Sequence, residues 1–413
     1  MSATTASTYA VPSAATRWIQ LLLSLVCMMA ISSPQYVWAL FTKPFGSTLG
    51  ASAAGIQVTF SILVVLQTFF SPVQGWLVER FGPRWLIASG CALSGLSWVL
   101  ASSATSLWGL YLTYGLIGGL GTGIVYIGVV GQMMRWFPDH RGFAAGAVAA
   151  GYGMGAILTT FPISDTLAAS GLSTTLMRWG LILGAVGVVA ALGLRSPPAQ
   201  DSPRAIAEAG PSVAPQEMLR TPIFWLLFVM MAMMSTTGLM VTSQIGAFAA
   251  DFGITKLMVW GMAALPLALT IDRFCNGLTR PFFGWVSDRI GRENTMALAF
   301  TLEGLAMAAW LGLHDDPVLF VLLSGLVFFG WGEIFSLFPS TLTDTFGPRD
   351  AAKNYGFLYI AQGVGAILGG PMASLLHDAT ASWTPVFAVA IAADLLTAVL
   401  AIAVLKPMRA AYR

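Results

Sequence analysis

An internal repeat constrains this chain more than any other feature. Gly75-Trp76-Leu77-Val78-Glu79-Arg80-Phe81-Gly82 returns 209 positions later as Gly284-Trp285-Val286-Ser287-Asp288-Arg289-Ile290-Gly291. A second pair keeps nearly the same offset. Gly151-Tyr152-Gly153-Met154-Gly155-Ala156-Ile157-Leu158 returns as Ala361-Gln362-Gly363-Val364-Gly365-Ala366-Ile367-Leu368, 210 positions on. The chain is two copies of one half. The repeat sits in very apolar sequence, with 56% hydrophobic and only 9% charged residues, against about 25% charged in a soluble domain. Two like apolar halves imply a polytopic membrane protein with a site between them.

A helix needs about 20 apolar residues to cross the hydrocarbon core, and backbone polar groups there must be satisfied internally. The runs fall at roughly 18–41, 52–78, 84–104, 106–134, 142–168 and 174–195, then 221–250, 257–287, 294–313, 317–343, 351–377 and 381–405. The expectation is an all-α protein of twelve spans, six per half: a tail 1–17, a first half 18–195, a linker 196–220, a second half 221–405 and a tail 406–413. The linker is rich in Pro, Ala, Ser and charge and reads as a tether. Arg80, Arg84, Arg135, Arg141, Arg195, Arg204, Arg220, Arg289, Arg292, Arg349 and Lys353 cluster on one side with Arg17, Lys406, Arg409 and Arg413. The other side has only Lys43, Arg178 and Lys256. Positive charge stays inside, so both termini are expected in the cytoplasm.

Composition also excludes classes. A net charge of +2 without a basic patch gives no case for nucleic acid. The uncharged Ala/Ser/Thr-rich first sixteen residues do not read as a cleavable signal. Cys27, Cys91 and Cys275 lack metal-ligand spacing and are expected to pack as small hydrophobes. No metal or cofactor is expected. The spans hold no Ser–His pair or His/Asp/Glu metal cluster, which argues against an enzyme. No signalling domain is appended, which argues against a receptor.

Twelve spans in a six-plus-six repeat, with Gly-x-x-x-Glu/Asp-Arg-x-Gly after spans 2 and 8, resemble the major facilitator superfamily over essentially the whole chain. In that family the motif is a gate latch, which gives Glu79, Arg80, Asp288 and Arg289 that expected role. A narrower resemblance rests on Arg135-Trp136-Phe137-Pro138-Asp139-His140-Arg141-Gly142, on Arg280-Pro281-Phe282-Phe283-Gly284-Trp285 and on Asn354-Tyr355-Gly356-Phe357. These strings are similar to the oxalate/formate antiporter branch, which is related to the proton-coupled monocarboxylate carriers.

Arg280 lies about 12 Å before Asp288 along span 8, at 1.5 Å per residue, well inside the membrane. A buried Arg there needs a cavity or a partner, and its fork matches a carboxylate. Asn276, four residues earlier, shares its face. Seen without the resemblance, Arg280 reads equally as a structural ion pair. The resemblance favours substrate binding. The monocarboxylate carriers also have a functional Arg on the matched helix, with an acidic residue in place of Asn276. The resemblance puts Gln362 where oxalate carriers have a second cation, a Lys. One cation suits one carboxylate, and Gln362 suits a hydroxyl or keto oxygen. Tyr36, Tyr126, Tyr152, Trp331, Phe335 and Tyr359 match aromatic cavity positions of those carriers.

The expected function is alternating-access symport of a small monocarboxylate, of the L-lactate or pyruvate type, with a proton. An organic anion exchanger such as an oxalate:formate antiporter is the alternative. Glu333 and Asp272 are the candidate proton carriers, with Glu303 on the outer span 9 weaker. Asp272 and Arg273 either pair structurally or close an outer gate. The expected partners are the carboxylate, protons and the lipid of a plasma (inner) membrane, with the protein monomeric.

Overall fold

The computed structural model describes residues 14–196, 212–255 and 257–412. The first thirteen residues, Lys256 and most of the expected linker lie outside the described residues. Among the described residues, nine helices are long and apolar enough to cross a bilayer. A tenth span is the bent pair Gly55–Phe69 and Ser71–Phe81, turned by 55°. Arg141–Leu192 contains two spans, because Gly171 takes φ 77° and ψ 176° inside it and breaks the helix. The twelfth is Ala264–Ile290, set apart from the others by Asp272, Arg273, Arg280, Asp288 and Arg289. Its charges dilute an otherwise apolar run, and they include the functional candidates.

The remaining spans are span 1 (Ala14–Ala30, continuing through Ser33–Tyr36 and Trp38–Leu49), span 3 (Pro83–Ala101), span 4 (Leu107–Trp136) and span 7 (Pro222–Asp251). Then come span 9 (Arg292–Gly312), span 10 (Pro317–Trp331 and Ile334–Phe346), span 11 (Ala351–Thr380) and span 12 (Thr384–Tyr412). Spans 2, 5, 6 and 8 are those given above. Arg17, Arg195, Val213 and Arg409 all lie on one side, called here the terminal face. Three boundaries differ from expectation by about two turns. Span 1 runs past the expected position 41 to Leu49. Span 8 starts at Ala264, because Met258–Val259 and Met262–Ala263 pair as a short hairpin turning through Trp260 and Gly261 at positive φ. Span 12 continues as helix through the expected tail to Tyr412, held by Arg409 on Glu293 and Thr345.

The repeated motif explains the corners. Spans 2 and 8 stop at Gly82 (φ 84°) and Gly291 (φ 91°), a backbone conformation that only glycine adopts cheaply. Each motif's first glycine marks a helix crossing. A Cβ on Gly75 would lie 2.5 Å from the Ala352 carbonyl oxygen of span 11. A Cβ on Gly284 would lie 2.5 Å from the Gly142 carbonyl carbon of span 5. Small residues let backbones meet where no hydrophobic force pulls helices together. The two halves therefore touch along two matched seams, span 2 on span 11 and span 5 on span 8.

Candidate functional site

Arg280 lies on the second seam and is 1% exposed. Its Nη1 donates to the Ala149 carbonyl of span 5 at 2.6 Å. Its Nη2 donates to Asn276 Oδ1 at 2.7 Å, the i,i+4 geometry read from the sequence. Its Nε has no partner, and neither does Asn276 Nδ2. The guanidinium carbon sits 4.4 Å from the Phe335 ring. Gly153 on span 5 leaves room beside it, since a Cβ there would lie 3.6 Å from Nη2. Among the described residues no carboxylate pairs with Arg280. The alternative of a permanent protein ion pair is not what the structure shows.

Aromatic rings from both halves gather beside this charge. Tyr126 stacks on Tyr359 with centroids 4.8 Å apart. It meets Tyr152 edge-on at 5.3 Å and Phe335 at 6.5 Å. Tyr36 meets Tyr152 at 5.4 Å. Gln362 Oε1 is buried without a hydrogen-bond partner. The expected cage residues Tyr36, Tyr126, Tyr152, Phe335 and Tyr359 thus come together, while Trp331 stands behind them. Its indole N–H donates to the Met234 carbonyl at 2.9 Å, and its ring packs on Gly238. It reaches the cage only through Phe335, at 6.2 Å.

Two glutamines escaped the sequence reading. Gln67 Nε2 donates to Tyr152 Oη at 3.2 Å and to Tyr359 Oη at 3.4 Å, so it bridges the halves. Tyr152 Oη donates to Gln35 Oε1 at 2.6 Å. A polar amide inside an apolar span was the available signal. The signal is weak because neither residue carries charge, although at the 209-residue offset Gln67 matches Asn276 and Gln35 matches Gln244.

The expected proton carriers separate. Asp272 is buried with both oxygens unpartnered. Arg273 points elsewhere, 6.0 Å from the Tyr36 ring. The two form no ion pair, because adjacent helix residues diverge by about 100°. Glu333 lies at the break in span 10, fully buried. Glu303 also differs from expectation. Span 9 packs on the outside, yet this side chain faces inward and is 0% exposed.

The terminal face is latched shut. Asp288 accepts from the Gly142 and Phe143 N–H groups at 3.0 and 2.9 Å, at the N-terminus of span 5. Glu79 accepts from the Ala352 and Lys353 N–H groups at 3.1 and 3.2 Å, at the N-terminus of span 11. Carboxylates at helix N-termini satisfy orphan N–H groups and the positive end of the dipole. Asp344 bridges the halves by taking Arg141 at 2.7 Å and Arg292 at 2.8 Å. Arg80 and Arg289, the other two residues expected in the latch, make no ion pair among the described residues. Arg80 lies 5.1 Å from the Trp76 ring and Arg289 lies 3.7 Å from the Trp285 ring of its own helix. When the carboxylate faces the opposite half, the next residue must face away. Lys353 and Arg292 supply the cations instead, at 2.9 Å from Glu79 and 2.6 Å from Asp288.

Known proteins share this architecture. The family model of the Major Facilitator Superfamily matches residues 21–271 and 230–412. The oxalate:formate antiporter of Oxalobacter formigenes is 34% identical over 361 residues, covering 87% of this chain and 85% of that one. Monocarboxylate transporter 13 of Bos taurus is 26% identical over 361 residues, covering 86% and 81%. Among solved structures, the E. coli fucose:proton symporter FucP superposes with a TM-score of 0.71 at 16% identity, over 93% of this chain and 97% of that one. Together with the two latched seams and the buried cation between them, these matches mean that the chain belongs to the Major Facilitator Superfamily and is a multi-pass membrane transporter rather than an enzyme.

Proposed function

We propose that this chain carries small monocarboxylates of the lactate or pyruvate type together with a proton, by alternating access, as a monomer in the plasma membrane with its termini in the cytoplasm. One observation carries the reading. Arg280 is a buried guanidinium between the halves with no carboxylate in direct contact among the described residues, and part of its fork is unfilled. Leaving a charge buried and unmatched is costly, and a substrate carboxylate is the group that would complete it. The surrounding tyrosines would exclude water and orient a small anion. The buried, unpartnered carbonyl oxygen of Gln362 suits a substrate hydroxyl group. Anion entry alone would work against a negative-inside potential by about 2.3 kcal/mol per charge per 100 mV. A cotransported proton removes that penalty.

A second reading, exchange of organic anions such as oxalate and formate, is supported by the 34% identical relative. Uptake of labelled L-lactate into proteoliposomes separates the two. Stimulation by an inward proton gradient, lost in Arg280→Ala, supports symport through this anchor. Absence of lactate uptake together with oxalate uptake into formate-loaded vesicles supports exchange instead.

A further inference from the structure

Three carboxylates from three spans meet inside the second half, away from the tyrosine cage. Glu303 comes from span 9, Glu333 from the break in span 10 and Asp394 from span 12. Each is 0% exposed. A Cβ on Gly330 would lie 2.6 Å from Glu303 Cβ, and one on Gly304 would lie 3.5 Å from Asp394 Cβ. The missing side chain at Gly330 is thus what lets spans 9 and 10 close together at Glu303, while span 12 packs beside span 9 at Asp394. Both oxygens of Glu303, both of Glu333 and Oδ2 of Asp394 lack any hydrogen-bond partner. Only Asp394 Oδ1 is satisfied, by the Thr237 hydroxyl of span 7 at 2.9 Å.

No ordinary structural role explains this trio. Buried carboxylates are normally paired or fully hydrogen-bonded. Here no Lys, Arg or His among the described residues pairs with any of the three. No grouping among the described residues suits a metal ion. Neutralisation by protons is what remains for acids so placed.

The trio is also wired to the candidate substrate site. Glu333 interacts electrostatically with Asp394 from span 12 and Arg280 from span 8, and Glu303 from span 9 interacts with both acids. Arg280 itself lies 4.4 Å from the ring of Phe335, two residues along from Glu333. Span 7 contributes only the Thr237 hydroxyl, one turn from the Met234 carbonyl that holds Trp331. Glu333 lies two residues from both Trp331 and Phe335.

We propose that Glu303, Glu333 and Asp394 form the proton-binding site that couples transport to the gradient, with Glu333 the member that answers Arg280. The inference rests on the carboxylate-symport reading. In the empty carrier, two acids of the trio are neutralised by protons, and the Arg280 charge is balanced at a distance by one negative charge held on the third. A substrate carboxylate on Arg280 takes over that balance. The trio's charge then has no counter-ion and takes up one proton. The site holds one positive and one negative charge before loading, and the same after. One carboxylate anion and one proton cross together, and the loaded carrier turns over without net charge.

The test is Glu333→Gln in proteoliposomes, with Asp394→Asn as the second variant. A pH-indicator dye on the purified protein is expected to report about one proton taken up per lactate bound in wild type, and none in Glu333→Gln. Gradient-driven lactate accumulation should fall at least tenfold in both variants. Equilibrium exchange of labelled for unlabelled lactate should stay within about threefold, because it needs no net proton release. Accumulation or proton uptake at wild-type levels in both variants overturns the trio. Loss of exchange along with accumulation also overturns it, by assigning these acids to folding or substrate binding. Failure of the symport reading looks different, since wild type itself then shows no response to the gradient.

Discussion

Gly146 sits where span 5 meets the backbone of Arg280, and Gly146→Ala tests whether that seam sets the binding geometry. The added Cβ would lie 2.5 Å from the Arg280 carbonyl carbon and 2.9 Å from Pro281 N, with the Arg280 carbonyl oxygen closer still. Carbon atoms rest at about 3.5 Å, so the spans must separate by about 1 Å. The obstruction is backbone, which no rotamer change relieves. The same displacement stretches the 2.6 Å bond from Arg280 Nη1 to Ala149 O past hydrogen-bond range. A misplacement of about 1 Å at a binding group costs roughly a hundredfold, or about 2.8 kcal/mol. Lactate affinity, measured by titration calorimetry on purified protein, should therefore weaken about a hundredfold. Gly246→Ala is the control, because a Cβ there meets nothing within 4 Å. It should bind like wild type and gain up to about 1 kcal/mol of helix stability. Wild-type affinity in a folded Gly146→Ala protein would refute the claim that this crossing positions the guanidinium.

Two further outcomes follow from the same geometry. Gln362→Lys restores a second cation at a position whose carbonyl oxygen is now unpartnered. A charged hydrogen bond contributes about 1.5–3 kcal/mol, so oxalate should gain at least tenfold in affinity over lactate in competition binding. An unchanged ratio would separate Gln362 from the substrate. Asp288→Asn removes a carboxylate that caps span 5 and pairs with Arg292. Losing about 1.4 kcal/mol of latch should raise maleimide labelling of an Ala145→Cys reporter, buried here, by about tenfold. Unaltered labelling would mean that the terminal face is held by its apolar contacts alone.

Much of the architecture was written in local pattern. The apolar runs located twelve spans, because a bilayer demands length and internal hydrogen bonding whatever the neighbours do. The Arg280–Asn276 pair was legible for a similar reason, since i,i+4 spacing guarantees one face. The tyrosine cage needed the resemblance, because a tyrosine in an apolar span looks the same facing lipid or substrate. Gln67 was missed although its amide bridges Tyr152 and Tyr359 across the halves.

The sequence by itself determined that this is a two-fold repeat of membrane helices with a cation held at mid-span. Those properties depend on spacing along one helix and on transfer from water to hydrocarbon, and both are local. Only the tertiary structure decided how neighbours on one helix divide their work. Asp288 turns to the other half while Arg289 lies on Trp285. Asp272 is buried while Arg273 reaches toward Tyr36. It also brought Glu303, Glu333 and Asp394 from three spans into one buried group. Which face of a helix meets which partner is settled by packing between spans far apart in sequence. No periodicity within a single span records that.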